Sequence, residues 1–343
     1  DYTGGGCPHI LAEPQRTNLI TYSEDFSQWS TNATVTLNAA ISPDGTQNAS
    51  LFSHSGGSFP QVTLTGITFV SGADYSPSLY VKSDGTSQVQ HSLLINNVVV
   101  NFTPTDEWVR ISDLIVSPDT SGSFVIAQNS GSSVAASFYI WGAQLEAGSY
   151  ATSYIPTSGS SVTRNQDIFT RDGIGSLINS TEGVLFLEMA ALSNDSVQKF
   201  ISLSDGTTTN RIILGYDNVS NRIISFARVG GGLSFDIKVV VSNVQDYNKL
   251  AIKWKENDFA LWINGVEVGT DTSGSSFSSG TLIDLQFSDA DGTTEIFNGK
   301  VKQLQVYDTS LTDNQLIQLT GEAGTHFFES YAEMAEALTY TIQ

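Results

Sequence analysis

Short apolar runs separated by turn residues are the dominant pattern along the chain. Runs rich in Val, Ile, Phe, Thr and Tyr recur about every ten positions from residue 33 to residue 146 and again from residue 184 to residue 307. Asp-Gly and Asn-Gly pairs, which tolerate the positive φ of tight hairpins, lie between many of these runs. The pairs are Asp44-Gly45, Asp84-Gly85, Asp172-Gly173, Asp205-Gly206, Asn264-Gly265, Asp291-Gly292 and Asn298-Gly299. This spacing is typical of antiparallel β-sandwiches.

The clearest single element is a β-hairpin centred on Asn264-Gly265. Ile263 and Val266 flank the two-residue turn, and Leu261 and Val268 continue the same apolar face. Long helical periodicity is absent before the C-terminal part of the chain, and a parallel α/β sheet needs crossover helices. We therefore predict an all-β fold of two antiparallel β-sandwich (jelly-roll) domains in tandem, followed by short C-terminal helices.

Two capping boxes near the C-terminus predict those short helices. In each box a hydroxyl accepts from the backbone N–H three residues on, and a Gln or Glu side chain returns to the cap. Thr312 with Gln315 forms one such pattern, and Ser330 with Glu333 forms the other. We expect Gly321 to end the first helix in the left-handed conformation.

A polar, flexible stretch around residues 154–161, with the sequence YIPTSGSS, is the expected domain boundary. We place a jelly-roll sandwich in residues 1–155 and a second sandwich in residues 156–321. Residues 322–343 form the predicted helical tail.

Length and charge narrow the range of functions. The 343 residues are 40% hydrophobic, which is enough for two hydrophobic cores without stabilising cross-links or metal ions. The single cysteine, Cys7, excludes an internal disulfide. The formal net charge of −20 repels nucleic-acid phosphates and anionic lipid, and no apolar run approaches the ~20 residues of a membrane span. We expect no nucleic-acid partner and no membrane insertion, which leaves neutral ligands and cations.

Two groups of motifs carry a resemblance to known families. The stretches EPQRTNLITYSEDF (13–26), ISPDGT (41–46) and YIWGAQLEAGSYATSYIPT (139–157), together with Trp29, resemble the carbohydrate-binding-module-like jelly roll of bacteriophage tail-fibre and related virion proteins. The stretches ISLSDG (201–206), NDFALWING (257–265) and GKVKQLQVY (299–307), with the helix at 311–319, are similar to the concanavalin A-like, laminin-G-type domain.

The resemblance implies a role as well as a fold. Such sandwiches are displayed on a virion outside the cell, where they are commonly associated with recognition of host-surface glycans. The implied partners are host cell-surface polysaccharide and other virion proteins, and the implied oligomer is a fibre homotrimer. Because one fold serves many functions, the site must carry the functional argument.

No complete catalytic constellation is present in the sequence. Glycosidases of concanavalin A-like fold use a Glu-x-Asp-x-x-Glu strand, and the nearest match, Glu256 with Asp258, has Leu261 in place of the second Glu. A nucleophile elbow, a phosphate-binding loop and a His-Glu-x-x-His helix are all missing. His9, His54, His91 and His326 are far apart and are interpreted as satisfied or solvent-facing. We predict no enzymatic activity and no cofactor.

A structural Ca²⁺ ion is the one metal worth considering. The acidic residues Asp289 and Asp291, close to Asp284 and Glu295, surround a turn and offer the hard oxygen ligands that Ca²⁺ prefers, although a solvated acidic turn is the simpler interpretation. In the first domain, the resemblance implies a Ca²⁺ site near the start of the sandwich. Glu24 and Asp25 match that position.

Aromatic residues are the remaining route to a ligand, because sugars place their C–H faces on exposed rings. Strand alternation puts Tyr80 with Lys82 and Trp108 with Arg110 on faces opposite their apolar neighbours, and it points Tyr139 and Trp141 outward from Phe138 and Ile140. If these strands are neighbours, the residues form a ring-lined face with basic donors. The alternative is that the rings are core residues or are covered by a loop or a subunit.

In the second domain Trp262 is the corresponding candidate, either as a ligand platform or as a packing contact. Three functions follow from these residues. The first is a non-catalytic phage virion appendage that binds host glycans. The second is a purely structural capsid-decoration or fibre-spacer protein. The third is the binding tail of a secreted polysaccharide-degrading enzyme.

Overall fold

The alternating apolar runs of the sequence form antiparallel strands throughout a computed structural model of the chain. The structure describes residues 9–57, 59–86, 89–96, 98–128 and 134–322. Every strand pair within its sheets is antiparallel, which confirms the predicted all-β fold. Within the described residues, no helix has the length and apolarity to cross a membrane.

The first part of the chain is built from short strands. In chain order these are β1 (Ile10–Ala12), β2 (Arg16–Asn18), β3 (Ser30–Thr31), β4 (Thr34–Ala40), β5 (Ala49–His54), β6 (Gln61–Thr68), β7 (Asp74–Ser83), β8 (His91–Ile95), β9 (Val98–Phe102), β10 (Val109–Ser112), β11 (Ile115–Val116), β12 (Ser121–Gln128), β13 (Ala136–Ala147) and β14 (Val162–Arg164). A 3₁₀ turn at Phe26–Gln28 precedes β3.

Up to residue 322, where the description ends, the second part continues with eleven strands and one α-helix. They are β15 (Thr170–Arg171), β16 (Glu182–Ala191), β17 (Lys199–Ser204), β18 (Arg211–Tyr216), β19 (Arg222–Val229), β20 (Gly232–Val240), β21 (Asn248–Lys255), β22 (Phe259–Ile263), β23 (Val266–Asp271), β24 (Asp284–Gln286), β25 (Gly299–Tyr307) and α1 (Asp313–Thr320). A 3₁₀ turn at Gly175–Leu177 follows β15.

Two of the predicted local elements are confirmed directly. The turn at Asn264-Gly265 joins β22 to β23, with Ile263 paired to Val266. Thr312 caps α1 through a complete capping box with Gln315. Gly321, however, ends the helix in an extended conformation with φ −74° and ψ 170°, so the expected left-handed cap is wrong. The predicted helix at Ser330, with the tail at 323–343, lies outside the described residues.

The first unit comprises residues 14–166. Its front sheet has the strand order β10-β7-β13-β5-β4, with β11 also pairing with β7, and its back sheet has the order β3-β6-β12-β8-β9. Large apolar side chains from the two sheets fill the space between them, which is the arrangement expected of a sandwich. They include Phe52, Leu79, Val81, Phe138 and Ile140 from the front sheet, and Leu93, Ile95, Phe124 and Ile126 from the back sheet.

The second unit consists of residues 167–322 together with residues 9–13. Its sheets have the orders β1-β25-β16-β21-β22-β23 and β15-β24-β17-β18-β19-β20. A separate apolar core lies between them, and Ala12 of β1 is a fully buried member of it. The second sandwich therefore takes one strand from the beginning of the chain.

The change from one unit to the other takes place at Glu13 and Asp167. The Glu13 amide donates to an Asp167 carboxylate oxygen at 2.9 Å, and the Asp167 amide donates to the Glu13 carbonyl at 2.9 Å. The first unit runs beyond the boundary expected at residue 155, because β14 pairs with β2 and the Thr157 amide donates to Ser23 Oγ at 2.8 Å.

Candidate functional site

The front sheet brings together the side chains expected to form a ring-lined face. Strands β10, β7 and β13 are direct neighbours. Arg110 is paired with Tyr80, Tyr80 with Trp141, and Lys82 with Tyr139. Because their strand neighbours point into the core, these side chains lie on the opposite, outer side of the sheet, which we call the front face.

Part of the front face is closed by the chain itself. Trp141 is only 4% exposed, because its ring packs against Tyr80 at 5.4 Å between centroids and against Tyr154 at 4.5 Å. The Tyr154 hydroxyl is fixed in turn by Glu24 and Ser23, and burial raises its pKa above the ordinary range. The expectation that Trp141 is an exposed ring is therefore wrong, since the segment before Pro156 folds back over it.

Trp108 and Arg110 are also committed to contacts within the unit. The indole N–H of Trp108 donates to the Ile41 carbonyl at 3.0 Å. The Arg110 guanidinium donates to the Thr152 carbonyl at 2.7 Å and to Ser78 Oγ at 2.8 Å, and it lies 5.5 Å from the Tyr80 ring centroid. These donors hold loops onto the face, which agrees with the alternative that a loop covers part of it.

The other part of the front face is open. Tyr139 and Lys82 are half-buried there, and a recess of about 480 Å³ begins at Ser137, two residues along β13 from Tyr139. Ser137 is paired with Ser53, and Ser53 with Thr34, so their side chains form a row across three strands on the front face. The recess is lined by Thr34, Ser53, His54, Ser55, Thr86, Ala135, Ala136 and Ser137.

Asp84 orders two of the hydroxyl groups at the recess. Its carboxylate accepts from Ser137 Oγ, and it accepts from Thr86 Oγ at 2.7 Å and from the Thr86 amide at 3.0 Å. Burial by itself raises the pKa of Asp84, but these hydrogen bonds outweigh it and hold the pKa below its ordinary value. The carboxylate therefore stays ionised, and Ser137 and Thr86 keep oxygen lone pairs for a ligand donor.

Trp262, the ring candidate of the second unit, is a packing residue. It is 4% exposed and belongs to a small apolar cluster with Phe186, Ala251 and Leu316, outside the main core. Leu316 comes from α1, which lies on this side of the sheet. A ligand has no access to the ring, so Trp262 is not a candidate ligand-binding residue.

The candidate calcium ligands all have other partners. Glu24 accepts from the Tyr154 hydroxyl at 2.9 Å and from Asn48 at 3.0 Å, and Asp25 caps the 3₁₀ turn by accepting from the Ser27 amide at 3.1 Å. In the described ranges, no three Asp, Glu, His or Cys side chains come together as a metal site requires. The calcium ion stays a prediction.

The acidic turn of the second unit is likewise held internally. Asp289 forms an ion pair with Arg211 at 2.9 Å. Burial raises the Asp289 pKa to about 6, against the opposing effect of Arg211. Asp291 accepts from the amides of Thr293 at 2.8 Å and Thr294 at 3.0 Å, which is the geometry of an ordinary polar turn.

Sequence reasoning missed the recess itself. No single residue of the hydroxyl row indicates a binding site from sequence, because isolated Ser and Thr residues are common on the outer face of any strand. The row consists of Ser53, Ser137 and Thr34. Only the pairing of β4, β5 and β13 brings them into one row. His54 at the rim was interpreted from sequence as an ordinary satisfied or solvent-facing residue.

Comparison with known proteins bears mainly on the second unit. Residues 185–317 match the profile named Laminin_G_3, described as the concanavalin A-like lectin/glucanases superfamily. The matched segment runs from β16 into α1 and agrees with the expected laminin-G-type domain. No curated protein sequence matches the chain.

Solved structures with a similar fold include carbohydrate-binding modules. The CBM40 of the Ruminococcus gnavus IT-sialidase is 18% identical, with a TM-score of 0.37, over 45% of this chain and 99% of that one. Domain 4 of the Geobacillus stearothermophilus arabinanase AbnA, in complex with arabinotriose, is 18% identical, with a TM-score of 0.35, over 47% and 73%. The CBM22 tandem of Paenibacillus barcinonensis Xyn10C is 11% identical, with a TM-score of 0.31, over 89% and 100%.

Proposed function

We propose that this chain is a non-catalytic glycan-binding protein and that the open half of the front face holds the saccharide. The observation that carries the proposal is a recess of about 480 Å³ lined by a row of hydroxyl groups, with Tyr139 two residues along β13 from Ser137 on the same face and paired with Lys82. A volume of this size lies within the usual range of small-ligand sites. The ring offers an apolar surface to sugar C–H groups, and the hydroxyls and the ammonium pair with sugar oxygens.

The chemistry of the recess supports binding without bond cleavage. Glycoside hydrolysis uses two carboxyl groups placed on either side of the glycosidic bond. Among the described residues, the lining of the recess holds no carboxylate, and that of the neighbouring Asp84 is occupied by Ser137 and Thr86. The match of the second unit to a lectin and glucanase superfamily is compatible with a binding role.

The setting we propose is a bacteriophage virion appendage, exposed outside the cell. The support for it is the resemblance of the stretches 13–26, 41–46 and 139–157 to tail-fibre jelly rolls. Host cell-surface polysaccharide is then the glycan, and other virion proteins are the structural partners. A homotrimer would be the oligomer, which sedimentation of the purified chain would test against a monomer.

A second candidate function is a structural spacer, and one observation favours it. Trp108, Arg110 and Trp141 are all engaged by the chain's own loops, so half of the front face already serves folding. If the open half serves assembly in the same way, the rings pack against a neighbouring subunit and no saccharide binds.

Glycan-array binding of the purified chain distinguishes the two functions. We expect a reproducible signal from bacterial surface polysaccharides and a loss of about tenfold in Tyr139→Ala, which corresponds to ~1.4 kcal/mol. Tyr247→Ala is the matched control, because this Tyr is 37% exposed and belongs to the second unit, whereas the recess is lined by residues of the first. An array without signal from the folded parent chain would support the spacer function.

A further inference from the structure

Two histidines face each other across one end of the first-unit sandwich. His54 ends β5 of the front sheet, His91 begins β8 of the back sheet, and their ring centroids are 6.1 Å apart. Phe138 lies 4.2 Å from the His91 ring, and Phe52 lies 5.6 Å from the His54 ring. The pair therefore forms the polar end of an aromatic core.

The hydrogen bonds of the two rings assign their protons. His91 Nδ1 is 2.8 Å from the Val89 carbonyl, which only accepts, so Nδ1 carries the hydrogen and Nε2 is bare. His54 Nδ1 accepts from the Gly56 amide at 3.3 Å, so its hydrogen is on Nε2. Both Nε2 atoms are buried without a hydrogen-bond partner. Both rings are thus held neutral in a site that offers nothing to an added proton.

The charged groups around the pair give no compensation. Among the strands of the two sheets, Lys82 and Arg110 lie on the front face, and Asp74 and Glu146 lie toward the other end of the front sheet. Asp84, beyond the end of β7, is engaged by Ser137 and Thr86. No carboxylate of the described residues forms an ion pair with either imidazole. Burial accordingly lowers the pKa of His91 to about 4 and also lowers the pKa of His54.

We infer that protonation of the His54–His91 pair forces this end of the sandwich open and releases a saccharide held at the neighbouring recess. The connection is direct, because His54 lines the recess between Ser53 and Ser55. Two positive charges at this separation, with no carboxylate of the described residues paired to either ring, repel each other and require solvation. They sit on opposite sheets, so the repulsion separates β5 from β8. Binding is therefore full when both rings are neutral and is lost in acid. The inference rests on the proposed glycan function.

The first test reads the same glycan array at about pH 7.5 and about pH 3.5, the latter below the His91 pKa of about 4. We expect the parent signal to fall about tenfold or more in acid. His91→Phe, whose ring fits beside Phe102 and Phe138, keeps its signal, while the control His9→Phe loses signal as the parent does. A parent signal that does not change with pH, or an equal loss in His91→Phe, overturns the inference.

The second test needs neither a ligand nor a variant. Hydrogen exchange of the parent chain, corrected for the intrinsic effect of pH, should become faster in acid at the amides around His54 and His91 and not in β21. Unchanged protection at these amides overturns the opening, whatever the array shows. An array without signal at neutral pH overturns the glycan function and the release together, while faster exchange in acid would still support the opening itself.

Discussion

The ring centroids of Trp141 and Tyr154 are 4.5 Å apart, and this contact depends on Gly142, the residue that follows Trp141 in β13. Gly142 has φ +64° at the bulge where the pairing of β13 with β7 shifts. A Cβ atom at Gly142 would lie 3.3 Å from both Tyr154 and Tyr80. The bulge thus lets the aromatic cluster close, and it decides which half of the front face is sealed.

Gly142→Ala should destabilise the first unit by more than the left-handed backbone alone explains. The backbone contributes about 1 kcal/mol, and the two rings must also move apart. Gly72→Ala is the control, since Gly72 has φ +79° with open space at its Cβ. Urea unfolding measures the difference between the variants. If Gly142→Ala and Gly72→Ala lower the free energy of unfolding equally, the Tyr80 and Tyr154 rings move apart without an energetic cost.

Ala12→Glu should destabilise the second unit and leave the first unit unchanged. Ala12 is fully buried in the second core although it precedes the whole first unit. Burying a carboxylate there costs about 3 kcal/mol or more. Ile10→Glu, on the same strand but 37% exposed, is the control and should cost less than about 1 kcal/mol. Calorimetry that resolves a separate unfolding transition for each unit provides the measurement. A lower unfolding temperature of the first unit in Ala12→Glu would contradict the assignment of β1 to the second unit.

Leu316→Ala should detach α1 from the apolar cluster that covers Trp262. Leu316 is fully buried, and truncation of such a side chain costs about 2 to 5 kcal/mol. Gln318→Ala, on the exposed side of the same helix, should have little effect. Tryptophan fluorescence and thermal unfolding provide the measurement. Because Trp262 belongs to the second unit and the recess is built from the first, glycan binding should not change; loss of binding in Leu316→Ala with the fold retained would contradict the assignment of binding to the first unit.

The stability of the first unit should decrease as the pH falls from about 6.5 toward 4. The His91 pKa is about 4 in the folded chain, against 6.5 for an unperturbed histidine. The unfolded chain therefore takes up its proton first as the pH falls, which favours unfolding across this interval. Urea unfolding between pH 7.5 and 4 measures the slope. His91→Phe should have a shallower dependence, and an identical slope in both proteins would assign the effect to other groups.

Local chemistry explains why some elements were predictable from sequence. The Asn264-Gly265 turn and the Thr312 capping box each depend on neighbouring residues, so their sequence patterns specify them. Strands β1 and β14 have three residues each and no periodicity, and only their distant partners β25 and β2 define them. The extent of the first unit therefore could not be read from the polar stretch near residue 155.

The candidate site shows the same limit. Alternation placed Tyr80, Lys82, Tyr139 and Trp141 on one side of the sheet, as the strand register has them. It did not distinguish a side chain that points away from the core from one that reaches solvent, because exposure depends on loops that return from far along the chain. Trp141 and Trp262 are both covered in this way, by Tyr154 and by α1.

The reciprocal hydrogen bonds of Glu13 and Asp167 have an evolutionary consequence. The polypeptide leaves the second sandwich and returns to it at one hydrogen-bonded pair, so residues 14–166 form a cassette between two adjacent splice points. Recombination at these points would replace the whole first unit and leave every strand of the second sandwich intact. A lineage with this layout can therefore exchange one whole sandwich without redesigning the core of the other.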